Sequence, residues 1–168
     1  WGPSFTNEYC NLLLKKEKNI VTDENCTITH YDNFSDLIKK TASEIADGKV
    51  IGWFQGRMEW GPRALGNRSI IGDPRRKNMK DILNTKIKRR ESFRPFAPSI
   101  IHEKVSEWFE QEDEVPFMMQ VYQIKEEKRA EIPAVTHVDG SGRLQSVYEH
   151  TTPRFYYLIK EYEKLTGV

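Results

Sequence analysis

Apolar residues recur at helical spacing in some stretches of this chain and in strict alternation in others, and that contrast outlines its elements. Thr6 stands ahead of Tyr9, Leu12 and Leu13, which predicts a capped helix running to about Lys16. Cys26, Ile28 and His30 alternate with threonines and predict a strand over residues 26–31. Behind Asn33 or Ser35, the stripe Leu37, Ile38, Ile45 and Ala46 predicts a second helix, with Gly48 placed for a left-handed cap. The short apolar run 50–54 reads as a buried strand, and residues 69–71 as another, ended by Asp73-Pro74. Pro74 suits the first turn of a third helix that extends to about Lys88 through Met79, Ile82, Leu83 and Ile87. That phase turns Ile87 to the core and leaves Lys88 and Arg89 to a cleft or to solvent. Residues 97–101 read as a strand, and 103–109 as a brief helix with Val105, Trp108 and Phe109 inward. Segments 117–123, 135–138 and 143–147 are strand-like, the last two joined by Asp139-Gly140-Ser141-Gly142 as a hairpin. A closing helix over 154–165 gathers Phe155, Leu158, Ile159 and Tyr162 on one face. Helices and strands alternate early and strands cluster late, so the expected class is α/β (α+β), a sheet carrying helices, in a single domain over residues 1–168.

Composition narrows the class of function. With 38% hydrophobic and 11% aromatic residues in 168, the chain has material for one core and is too rich in core formers for disorder. Its apolar runs are far shorter than the roughly 18 residues a membrane helix needs, so no membrane partner is expected. Cys10 and Cys26 fit neither a zinc pair nor a redox motif and are expected reduced and buried, as in a cytoplasmic protein. His30, His102, His137 and His150 have no metal-ligand spacing, so no structural metal site is expected. Nucleophile elbow, Walker loop and dinucleotide fingerprint are all absent. The chain starts at Trp1 without a methionine and stops just past an amphipathic stretch, which reads as one piece of a longer polypeptide.

The net charge of +1 argues against a dedicated nucleic-acid binder, yet it is a sum of unlike parts. Residues 57–94 hold twelve Lys or Arg against four Asp or Glu, while 102–131 hold nine acids against four bases. A basic central third with acidic flanks suits phosphate or carboxylate ligands. Arg75, Arg76, Lys77 and Lys80 within it read as one solvated helix face.

Three stretches carry the candidate chemistry. GRMEWGPRALGNRS, residues 56–69, follows a strand with three glycines, a proline and three arginines, a loop whose backbone can approach an anion. Its alternative is a surface loop with arginines paired to Glu59 and Asp73; Glu59 itself is expected to orient an arginine. In NTKIKRRESFRPFAPS, residues 84–99, Arg94 stands between Phe93 and Phe96, either held rigidly at a site wall or in a core-edge ion pair with Glu91 or Glu59. THVDGSGRLQSV, residues 136–147, sets a hydroxyl, an imidazole, a carboxylate and an arginine around a tight turn, where His137 can equally be a satisfied strand histidine and Asp139 a turn former.

In that order and spacing, the three stretches resemble the C-terminal domain of the carbamoyltransferase family that includes NodU-type nodulation proteins and TobZ-type antibiotic carbamoyltransferases. The resemblance covers essentially the whole chain. It implies a YrdC-like twisted open mixed sheet with flanking helices, which binds ATP and carbamoyl phosphate and forms a carbamoyl-adenylate. A separate N-terminal transferase domain of the same polypeptide, the implied partner, would pass the carbamoyl group to a hydroxyl acceptor. The family's ligand-binding bases fall on Arg63, Lys88, Arg94 and Arg143, with Lys88 and Arg94 as the catalytic pair and Arg68, Asn67 and Thr136 as further orienting groups. Mg²⁺ would arrive with ATP rather than on a protein site. The competing reading is an RNA- or nucleotide-binding YrdC-like module without catalysis.

Overall fold

Residues 2–168 are described in a computed structural model. Thr6 caps α1 (Asn7–Lys16) as its spacing requires, its hydroxyl accepting from the Tyr9 N–H at 3.2 Å. A short α2 (Lys18–Asp23) follows, and neither helix buries a residue. Residues 26–31 form no strand. Their alternation is genuine, but no neighbouring strand offers a ladder, and Cys26, expected buried, is exposed while Cys10 is half-buried. Asn33 caps α3 (Phe34–Ala46) by accepting from the Ser35 N–H, and Gly48 ends the helix region with φ +88°.

The expected alternation then appears. β1 (Ile51–Phe54) pairs antiparallel with β2 (Arg68–Ile71), placing Ile51 opposite Ile71 and Phe54 opposite Arg68. α4 (Met79–Ile82) is shorter than the predicted helix, because the chain passes at Leu83 into a π-helical turn, Leu83–Lys88. The wider turn breaks the helical phase, so it is Leu83 and Asn84 that are buried and Ile87 is 45% exposed rather than turned to the core. β3 (Ser99–Ile101), a 3₁₀ turn and α5 (Val105–Trp108) follow, and Val105, Trp108 and Phe109 are buried as expected.

Late in the chain the strands are rearranged relative to the expected hairpin. Residues 135–138 are irregular, and the Ser141–Val147 stretch divides into β5 (Ser141–Arg143) and β6 (Gln145–Val147). β5 pairs antiparallel with β4 (Val121–Gln123), β6 pairs parallel with β3, and fully buried Leu144 is the joint between them. α6 (Pro153–Thr166) carries Pro at its first turn and ends on Gly167 with φ +78°. The fold is thus α/β, with helices over small sheets of mixed parallel and antiparallel pairing. One core joins Ile38, Ala42 and Ile45 of α3 to Phe155, Leu158 and Tyr162 of α6 over Trp53, Ile101 and Val147. A second packs Val105, Trp108 and Phe109 against Ile124, Ile132 and Leu144. Among the described residues, no helix is long and apolar enough to cross a membrane.

Candidate functional site

Between the two cores lies a cavity of about 370 Å³, and three chain segments bring cations to it. The first is the loop joining β1 to β2. A loop of this length needs internal support, and half-buried and buried polar side chains supply it. Glu59 accepts the Leu65 and Asn67 N–H groups at 2.8 and 2.7 Å, so it organises backbone, and among the described residues it has no ion pair with an arginine. Gln55 donates to the Gly66 carbonyl, and Gln145, on β6, donates to the Leu65 carbonyl. Gly66 sits at φ +116° against Phe155, where a Cβ would lie 2.5 Å from the ring, so only glycine lets this loop rest on α6. Held this way, the loop presents Arg63 to the cavity. Arg68 also lines it, but its guanidinium lies over the Phe54 ring at 3.6 Å and donates to the Gln55, Gly56 and Asn67 carbonyls. Asn67 donates to the Arg57 carbonyl and does not line the cavity.

The second segment is the π-helical turn, which ends by presenting Lys88 to the cavity, followed by Arg89 in the left-handed region at φ +49°. Its anchor is Asn84, 0% exposed, whose amide donates to the Ser92 and Arg94 carbonyls and whose oxygen accepts from Arg90 Nε at 2.7 Å. Arg90 lines the cavity and lies over the Phe96 ring. Arg94 stands apart: Pro95 and Phe96 line the cavity, whereas Arg94 Nε pairs with Glu91 at 2.9 Å. Its expected clamping between two phenylalanines is not found, because Phe93 is 74% exposed; the ion pair with Glu91 is.

The third segment supplies Arg143 from the end of β5, with His137 beside it. Thr136 is used locally, donating to the Ile132 carbonyl at 2.9 Å, and Asp139 forms the turn by accepting from the Ser141 N–H and hydroxyl. Burial, and secondly the charge of Arg63, pulls the Arg143 guanidinium below its ordinary value. Among the described residues, Arg63, Lys88 and Arg143 form no ion pair with a carboxylate. Three neighbouring cations without an internal counter-charge are complementary to an anion.

The supposed solvated face of Arg75 and Arg76 is instead built around Asp73, 1% exposed, at another part of the cavity wall. Asp73 takes a two-point contact from Arg75 at 2.8 and 3.0 Å, a weaker one from Arg76, and the Tyr162 hydroxyl at 2.6 Å. Both arginines also reach the Ala46 carbonyl at the end of α3. The residues that sequence reasoning overlooked, Asn84, Gln55 and Gln145, share one signal: amide side chains inside or beside the motifs, in stretches otherwise basic or apolar.

Comparison with known proteins adds the lineage. The family described as carbamoyltransferase C-terminus matches residues 42–168. An uncharacterised protein of Synechocystis is 45% identical over 98% of this chain and 29% of its own length. Nodulation protein NolO of Bradyrhizobium diazoefficiens is 43% identical over 100% of this chain and 30% of its own, and nodulation protein NolNO of Sinorhizobium fredii 50% over 79% and 20%. The chain therefore spans less than a third of the curated relatives it matches. Cavity, cationic segments and these matches converge: the chain belongs to the carbamoyltransferase family, as its C-terminal region.

Proposed function

We propose that the cavity binds ATP and carbamoyl phosphate and that the region forms a carbamoyl-adenylate, which an N-terminal transferase domain of the longer polypeptide passes to a hydroxyl acceptor. The observation that carries this reading is the set of uncompensated cations: Arg63, Lys88 and Arg143 line one cavity, and among the described residues none of them is ion-paired; the lining acids Asp73 and Glu163 pair with other bases. Mixed strand pairing around the cavity suits the YrdC-like architecture the motifs imply. In the reaction, water cleaves carbamoyl phosphate to carbamate and phosphate. A carbamate oxygen then attacks the α-phosphorus of ATP as the bond to the bridging oxygen breaks and pyrophosphate leaves. Lys88 and Arg143 stabilise charge on the five-coordinate phosphorus, Arg63 holds phosphate oxygens, and the backbone-bound Arg68 keeps the loop in place. Mg²⁺ enters as part of the ATP complex. Arg94, next in sequence to the lining residue Pro95, would have to exchange Glu91 for a phosphate to take part. Fixed donors in a dry site contribute about 3 kcal/mol each to such a transition state, enough without a side-chain nucleophile.

The test is ATP–pyrophosphate exchange dependent on carbamoyl phosphate, measured in the full-length polypeptide. Lys88→Ala and Arg143→Ala should each lower it at least about a hundredfold. Full exchange in both variants overturns the assignment.

A further inference from the structure

His137 stands where β5 folds back, its N–H donating to the Ser141 carbonyl at 2.8 Å and its ring lining the cationic cavity. Its two ring nitrogens are in opposite situations. Nδ1 lies 3.0 Å from Ser141 Oγ, and that hydroxyl donates to Asp139 Oδ1 at 2.6 Å. Asp139 is a carboxylate, held below its ordinary value chiefly by the Ser141 hydroxyl and N–H, so it can only accept. The single Ser141 proton is thereby committed, its oxygen offers lone pairs to Nδ1, and Nδ1 must carry the ring proton. Burial, with Arg143 and Lys80 adding to it against the opposing pull of Asp139, keeps the ring neutral. Nε2 is left as a bare acceptor, shielded from solvent and without a partner. The charged groups that act on the ring are Asp139, already engaged by Ser141, and Arg143 and Lys80, whose side chains offer donors only; none of them is bonded to Nε2.

We infer that His137 Nε2 accepts a hydrogen bond from the amino group of the carbamoyl substrate and so selects carbamoyl phosphate over acyl phosphates that lack an N–H. The inference rests on the cavity being an acyl-phosphate site, as proposed above. The division of labour follows from donor and acceptor inventories. Phosphate and carbonyl oxygens are acceptors and are served by the guanidinium and ammonium groups. The amino group is the ligand's donor, and the Asp139–Ser141–His137 relay aims a lone pair for it. Acetyl phosphate has the same phosphate and carbonyl but a methyl group at this position, and would leave Nε2 unpaired.

The experiment measures dissociation constants for carbamoyl phosphate and acetyl phosphate with the full-length polypeptide and its variants. The unsubstituted protein should prefer carbamoyl phosphate by about tenfold or more. His137→Leu should erase that preference while acetyl phosphate binds as before, and His137→Gln, which keeps an acceptor oxygen, should retain most of it. Arg143→Ala should weaken both ligands together. As a measurement needing no variant, ¹⁵N spectra of the histidines should show the Nε2 resonance of His137 moving with carbamoyl phosphate and staying put with acetyl phosphate. An undiminished preference in His137→Leu, or an unmoved Nε2 resonance with carbamoyl phosphate bound, overturns the selector role while leaving the cavity assignment intact. If neither acyl phosphate binds the unsubstituted protein, the cavity assignment falls and the selector role with it.

Discussion

Two arginine groups behave oppositely: one closes on Asp73, which lines the cavity, and the other lines the cavity itself. Around Asp73, the guanidinium groups of Arg75 and Arg76, the Tyr162 phenol and the end of α3 close on one buried carboxylate, and each donor there has its acceptor inside the fold. Around Arg143, the nearby Arg63 repels, burial disfavours the charge, and no carboxylate answers. In the sequence Arg75, Arg76 and Arg63 belong to one basic stretch and Arg143 to another, and nothing in the residue types tells the two groups apart. What separates the two groups is the counter-charge: Asp73 lies two residues from Arg75 and is held in place by Tyr162 from 89 positions away, whereas Arg143 has no carboxylate against it among the described residues. A folded protein that leaves cations uncompensated has forgone stability at that point, which is the signature of a site awaiting a partner.

Four substitutions would break or sharpen this contrast. The largest effect belongs to Asp73→Ala, which strands Arg75 and the Tyr162 hydroxyl together; a loss of about 3 kcal/mol or more is expected, read from denaturant unfolding. Arg143→Ala is its mirror image. Thermal stability should hold within about 0.5 kcal/mol, with any change upward, while nucleotide affinity falls at least tenfold, so calorimetry and binding titration must diverge. Tyr162→Phe removes one bond to Asp73 and should cost about 1 kcal/mol near neutral pH. Burial and the Asp73 carboxylate hold the Tyr162 phenol above its ordinary value of 10, so above pH 10 the unfolded chain loses a proton that the folded chain keeps. Stability therefore declines as pH rises past 10, and Tyr162→Phe should shrink that decline. The smallest effect lies on the acid side. His137 is held below its ordinary value of 6.5, so below pH 6.5 the unfolded chain binds a proton that the folded one resists, and stability falls as pH drops. His137→Gln should flatten that acid slope in melts between pH 6.5 and 5.

The readable parts of the fold were those with local causes. Thr6 and Asn33 sit where helices start and Gly48 where one stops, so α1 and α3 follow them, and α6 follows the apolar stripe of Phe155, Leu158, Ile159 and Tyr162. The three motif stretches do meet at one cavity, through Arg63, Lys88 and Arg143. Features with distant causes were illegible. Residues 26–31 alternate like a strand, but a ladder needs a second strand that alternation cannot summon. Ile87 was assigned from an unbroken helical period, and only tertiary packing of Asn84 against the Ser92 and Arg94 carbonyls favours the wider turn. Arg94 between two aromatic residues suggested confinement, yet one of its neighbours, Phe93, points to solvent. Glu59 looked like a partner for an arginine because charge is visible in a sequence and backbone N–H groups are not.

The joint at Leu144 has a consequence for the order in which the protein is made. β3 cannot find its parallel partner until residues 145–147 exist, and the Ser99 hydroxyl waits for the Gln145 side-chain amide oxygen across 46 positions. Closing so long a segment is entropically slow compared with forming the local helices. Gln145 also holds the Leu65 carbonyl, so the same event tethers the loop that carries Arg63. A nascent chain that has reached residue 148 therefore already carries every cation that lines the cavity and yet has no α6 to close it over. The order of synthesis thus sets the tethering of the Arg63 loop by Gln145, and the covering of the cavity by α6, after the last of the cavity's cations has been made.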